Sequence, residues 1–89
     1  MNIIQQANMY RFIVDIKGAA DDKVAKLEYE FLDNKTIHFT HTYVPFSLRG
    51  KGHAEALVNT GLAWAAVQKF NVQTSCWYVA KFLDNKPQT

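Results

Sequence analysis

The sequence predicts one α/β domain of the α+β kind, ordered β-β-β-α-β-α, with a mostly antiparallel sheet and helices packed on it. Three observations carry this. Residues 9–44 hold three stretches of alternating apolar and polar side chains joined by short turns. Residues 52–69 repeat their apolar positions at helical spacing. A short apolar stretch and a second short helical one follow. The 89 residues leave room for one domain over 1–89, with its core at about 9–84.

In residues 9–17, Tyr10, Phe12, Val14 and Ile16 fall on one face and Arg11, Asp15 and Lys17 on the other, a half-buried strand. Residues 1–8 carry no such pattern and are expected as a loose terminus. Gly18–Asp22 is a turn. In residues 23–32, Ala25, Leu27, Tyr29 and Phe31 alternate with Lys26, Glu28 and Glu30, and Asp33-Asn34 has the chemistry of a hairpin turn. Residues 36–44 make the third strand, with Ile37, Phe39, His41 and Tyr43 on one face and His38 solvated on the other. Pro45 ends the ladder because it has no N–H to donate. The helix at 52–69 places Ala54, Leu57, Val58, Gly61, Leu62 and Ala65 on one stripe and stops at Phe70-Asn71. Residues 72–76 read as a fourth strand, parallel to the third after a crossover. Trp77 to Leu83 reads as a short helix, and Asn85, Lys86 and Pro87 finish the fold.

Composition narrows the function. Forty-eight per cent of the residues are hydrophobic and 20% are charged, as in a globular domain. Ten Lys and Arg against eight Asp and Glu give a net charge of +2, with no basic stripe of the kind nucleic acid selects. No apolar run is long enough for a membrane span, and no signal-peptide pattern opens the chain. The single cysteine, Cys76, excludes an internal disulfide and a multi-cysteine metal site, so no metal is expected. A free thiol without a secretion signal points to the reducing cytoplasm, and the Asn34-Lys35-Thr36 sequon is a chance match.

The stretch Val44-Pro45-Phe46-Ser47-Leu48-Arg49-Gly50-Lys51-Gly52-His53-Ala54 joins a strand to a helix. The first turn of a helix has unpaired N–H groups and a partial positive charge, and glycines let an anion come close. Glycines used only for the turn explain the same residues about as well. A Walker A loop needs Ser or Thr after Gly-Lys, and Gly52 stands there. The third glycine of a dinucleotide fingerprint is also missing.

This stretch resembles the acetyl-CoA signature of the GCN5-related N-acetyltransferases: Gln or Arg, two residues, Gly, one residue, Gly or Ala. Arg49, Gly52 and Ala54 meet it. His41-Thr42-Tyr43-Val44-Pro45 looks like the family's strand that ends in a bulge beside the thioester. Cys76-Trp77-Tyr78-Val79 and Phe82-Leu83 look like the next strand end and helix of a short single-domain subfamily. The likeness covers roughly residues 10–84.

The resemblance implies an acetyl-CoA-dependent transfer to a primary amine. Tyr43 and Val44 would offer backbone groups to the acetyl and pantetheine parts. Arg49, Gly50, Lys51, Gly52, His53 and Ala54 would hold the pyrophosphate of acetyl-CoA or coenzyme A, mostly through backbone N–H groups. His53 departs from the aliphatic residue usual there, so a cost or an unusual contact is expected. Full-length members carry further helices and strands that build an acceptor pocket, so acceptor identity stays open, with a protein lysine or a polyamine as the classes an open site suits. A monomer or a dimer fits a domain this small.

Cys76 would lie next to the thioester, where a thiolate is able to accept the acetyl group if a helix N-terminus or a nearby His lowers its pKa. A buried apolar thiol is the alternative. His41 serves as that partner, as a general base for the amine, or as a core residue in register with Phe39 and Tyr43. Tyr78 protonates the departing coenzyme A thiolate or packs on the sheet. Trp64 and Trp77 are expected in the core or an interface. Lys81 and Lys86 are solvated or touch the coenzyme A phosphates. Two other functions fit the same residues: a non-catalytic module that binds acetyl-CoA or coenzyme A, and a small protein-interaction domain.

Overall fold

The computed structural model describes residues 1–84, and Asn85, Lys86 and Pro87 lie outside the described residues. Five strands, β1 Ile3–Gln6, β2 Arg11–Val14, β3 Lys26–Asp33, β4 Thr36–Tyr43 and β5 Asn71–Thr74, form one sheet in the order β1-β2-β3-β4-β5. The first four are antiparallel and β5 is parallel to β4. Helix α1, His53–Val67, crosses between β4 and β5, and α2, Trp77–Asp84, follows β5. The α+β class and the element order after β1 match the expectation from the sequence.

The loose terminus expected at residues 1–8 is instead an edge strand. Ile3–Gln6 pairs antiparallel with Arg11–Val14. Gln5 Nε2 donates to the Tyr29 hydroxyl at 2.9 Å, and Gln6 Oε1 accepts from Arg11 Nε at 2.6 Å. A four-residue strand held by its partner and by two glutamine contacts carries no periodicity of its own.

Both helices pack on one face of the sheet. Leu57, Val58, Leu62 and Ala65 of α1 bury the helical stripe against Phe12, Leu27, Tyr29, Ile37 and Phe39. Val79 of α2, fully buried, meets Leu27, Phe39, Val58 and Leu62. Trp64 joins this core as expected, with its ring centroid 5.5 Å from that of Phe12 and 5.4 Å from that of Tyr29.

On the opposite face, the chain between β2 and β3 folds over β2 through Asp21. Arg11, placed by the alternation on the polar face of its strand, is only 7% exposed. It donates to both Asp21 oxygens, and Lys26 Nζ donates to Oδ2 at 2.9 Å. Hydrogen bonds from Arg11 and then Lys26 hold the Asp21 carboxyl at about 2, below its ordinary 3.8. The Lys35 amide and the Thr36 hydroxyl lower Asp33 in the same direction. A carboxyl whose folded value is depressed stabilises the fold above its unfolded value and loses that effect as pH falls through the folded one. The melting temperature is therefore expected to drop between pH 4 and pH 2, the interval that Asp21 spans. Asp21→Asn, followed by thermal melts, should flatten that slope, with the part owed to Asp33 remaining.

Candidate functional site

A β-bulge in β4 shapes the site. Glu28 is opposite His41 but Tyr29 is opposite Phe39, so Thr40 is an extra residue on β4. An inserted residue reverses which face the following side chains take. Thr42 lies opposite buried Leu27, on the helix-packed face with Ile37 and Phe39. His41 and Tyr43, opposite Glu28 and Lys26, are carried to the other face. The expected register of Ile37, Phe39, His41 and Tyr43 on one face is thus corrected, and His41 is exposed rather than a core residue.

The bulge also coincides with the parting of β4 from β5. Their ladder runs only from Thr36–Asn71 to Phe39–Thr74. The Thr74 hydroxyl donates to the Phe39 carbonyl at 2.9 Å and accepts from the Cys76 N–H at 3.0 Å, so the last rung of the sheet turns directly into the start of α2. Beyond it, β4 continues to Tyr43 with no strand among the described residues beside that edge. A cleft of about 610 Å³ opens there.

One end of the cleft is the start of α1. Gly52 is its N-cap at φ 81°, and no side chain caps the helix. The first helical bond is from the Ala56 N–H to the Gly52 carbonyl, which leaves the N–H groups of His53, Ala54 and Glu55 without partners among the described residues. Gly50 and Gly52 both have positive φ, and a Cβ on either would meet nothing within 4 Å. Arg49 folds back over its loop: its Nε donates to the Val44 carbonyl at 3.1 Å and its guanidinium lies 5.7 Å from the Phe46 ring centroid. Val44, Leu48 and Ala54 add apolar wall. Open amides, a basic side chain and space where a Cβ would stand fit a diphosphate followed by a partly apolar chain, the chemistry of acetyl-CoA.

His53 also lines the cleft, and its Nδ1 is buried without a hydrogen-bond partner among the described residues. This is the cost expected for a histidine in place of an aliphatic residue. An unpaired buried polar group is destabilising by about 1–3 kcal/mol. His53→Leu is expected to raise the melting temperature by at least about 4 °C, measured by calorimetry, with its backbone N–H still in the cleft.

The other end of the cleft holds Cys76, a free cysteine at the N-cap of α2. Burial alone pushes its thiol up. The Thr42 hydroxyl, 3.5 Å from Sγ, the Val79 and Tyr78 amides of the first turn of α2 and the Thr42 amide outweigh it, so the net shift is downward from 9.0. The helix N-terminus expected to act on this thiol is in place. The His41 expected as an alternative partner is not, since the bulge puts it on the other face from Thr42. Tyr78 lines the cleft and packs against the core, so both roles weighed for it coexist. Burial, then the Glu55 carboxylate, raise its pKa above 10.0, which keeps its hydroxyl protonated.

Of the predicted site residues, His41, Tyr43, Val44, Arg49, Gly50, Gly52, His53, Ala54, Cys76 and Tyr78 line this one cleft. Lys51 is exposed and outside the lining. Trp77, expected in a core or interface, is 72% exposed on the rim, with Lys81 Nζ 5.5 Å from its ring centroid. His38, expected to be solvated, pairs with Glu30 at 2.7 Å. Thr42 and Glu55 were not legible as site residues. Glu55 carries one signal, an acid three residues after the helix cap, but that marks a helix start wherever it occurs.

Among the described residues no three His, Cys, Asp or Glu gather as a metal site, and no helix is long and apolar enough to cross a membrane. The family model for GCN5-related N-acetyl-transferases matches residues 11–89. Protein NATD1 of Xenopus tropicalis is 31% identical over 77 residues, which cover 86% of this chain and 69% of that protein. Protein NATD1 of Homo sapiens is 30% identical over 77 residues, covering 86% and 66%. Among solved structures, an NMR structure of a GCN5-like candidate N-acetyltransferase from Staphylococcus aureus superimposes with a TM-score of 0.73 and 25% identity, over 93% of this chain and 78% of that one.

Proposed function

We propose that this chain, which belongs to the GCN5-related N-acetyltransferase family, moves an acetyl group from acetyl-CoA to a primary amine. The observation that supports this best is one cleft with an uncapped helix N-terminus at one end and a lowered thiol at the other.

The free N–H groups of the first turn of α1, with Arg49 and the glycine backbone at residues 50 and 52, hold the diphosphate. Tyr43, at the edge of β4 beyond its ladder with β5, and the Val44 N–H offer backbone groups to the amide-bearing arm, the Val44 carbonyl being taken by Arg49. Acetyl-CoA supplies an acetyl group activated as a thioester. Cys76 presents its sulfur as acceptor for that acetyl group in a two-step transfer, its loss of the proton opposed by burial but favoured on balance by the Thr42 hydroxyl and the Val79, Tyr78 and Thr42 amides. In direct transfer His41 takes the proton from the incoming ammonium. Tyr78 keeps a proton to give to the departing sulfur. A single free cysteine suits a cytoplasmic location.

Calorimetric titration with acetyl-CoA and with coenzyme A tests the cradle first. One-site binding is expected for both, and binding of neither overturns the proposal. Turnover with an amine panel then separates an enzyme from a module that only binds acetyl-CoA.

A further inference from the structure

Resting on that reading, we propose that the acceptor enters from the sheet face opposite the helices and that Glu28 recognises its ammonium group. Leu27 and Tyr29 are buried in the core, so alternation along β3 turns Lys26, Glu28 and Glu30 to the other face. The bulge brings His41 and Tyr43 to that same face, with Glu28 directly opposite His41. His41 and Tyr43 line the cleft together with Thr42 and Cys76 of the helix side, so the opening between β4 and β5 is bordered by residues from both faces.

The charges on the outer face single out Glu28. Arg11, directly opposite Glu28 on β2, and Lys26 are both tied to Asp21. Glu30 is tied to His38 at 2.7 Å. Glu28, half-buried, has no ion-pair partner among the described residues. An unpaired carboxylate screened from bulk water attracts a cation more than a fully exposed one does. It stands directly opposite the imidazole that lines the cleft. A primary ammonium held there delivers its proton to His41. The amine nitrogen then bonds to the acetyl carbon, the thioester carbon–sulfur bond breaks, and the coenzyme A sulfur takes that electron pair and a proton from Tyr78; the second proton of the new amide nitrogen restores Tyr78, and His41 gives its proton to solvent. The substrate class is a primary ammonium on a cationic molecule, a polyamine or a lysine side chain.

The test compares the whole protein with Glu28→Gln, Glu28→Asp and Glu30→Gln, using spermidine and an end-blocked lysine peptide as acceptors. Glu28→Gln is expected to raise the acceptor KM about fivefold while kcat stays within about twofold, the size of one partly exposed charge pair. Glu28→Asp should recover most of the loss, and Glu30→Gln should leave KM near wild type. Spermidine alone, titrated into labelled protein, should shift the amide resonances of Glu28 and His41, and Glu28→Gln should abolish those shifts. An unchanged KM in Glu28→Gln, or an equal rise in Glu30→Gln, overturns the role of Glu28 while leaving the acetyltransferase reading intact. Acetyl-CoA binding without turnover of any amine removes the enzymatic reading. The spermidine titration then decides whether a cation site exists, and absent shifts overturn it too.

Discussion

Gly52→Val is expected to weaken acetyl-CoA binding at least about a hundredfold, or close to 2.7 kcal/mol. Two causes combine. At φ 81° Gly52 occupies the left-handed region, which a β-branched residue adopts only under strain. The space that a Cβ would enter holds no protein atom within 4 Å, so the new side chain extends beside the uncapped amides that are to meet the diphosphate. Titration calorimetry measures the loss. Strain and obstruction are separated by Gly18→Val, which has the same left-handed backbone at φ 79° in a turn away from the cleft. That variant should lose stability and keep its affinity. Unchanged affinity in Gly52→Val would refute the cradle.

Cys76→Ala is expected to lower turnover at least about a hundredfold, because it removes the acyl-accepting atom of the two-step route, while acetyl-CoA affinity changes less than about threefold. Alanine also removes the N-cap of α2, so Cys76→Ser is the sharper comparison. Serine is itself a good cap and keeps a hydrogen-bond acceptor for the first turn, but its hydroxyl is a far weaker nucleophile. Low turnover in both variants, with a normal melting temperature for Cys76→Ser, assigns the sulfur to the chemistry. Full turnover in Cys76→Ser leaves the thiol as a helix cap. The wild-type rate should rise with pH with its midpoint below the ordinary thiol value of 9.0, because the folded thiol's pKa is lowered.

Much of the fold is legible along the chain because its causes are local. The alternation in β3, the helical stripe of α1 and the stop at Pro45 each depend on a few neighbouring residues. The glycine-rich turn belongs with them, since a left-handed N-cap at Gly52 is something glycine alone permits without strain. The start of α2 directly after Cys76 also follows from its short apolar pattern.

What escaped the sequence depends on partners far along the chain. Ile3–Gln6 is a strand because β2 pairs with it. Arg11 is buried because Asp21 folds over it. The bulge at Thr40 has no glycine or proline to announce it, and a single inserted residue reverses the side-chain faces of everything after it.

The sequence by itself determined the class of fold, the family likeness and the turn that suits a diphosphate, since these rest on local backbone preference and spacing. Only the tertiary structure decided which side chains meet. It put His41 on the other face from Thr42, put Thr42 and two helix amides around the sulfur, and left Glu28, opposite His41, without an ion-pair partner among the described residues. The long-range contacts join residues 13 and 34 positions apart in the chain, the Glu28–His41 rung and the Thr42–Cys76 contact. Register and strand parting set them, and neither is a property of any single segment.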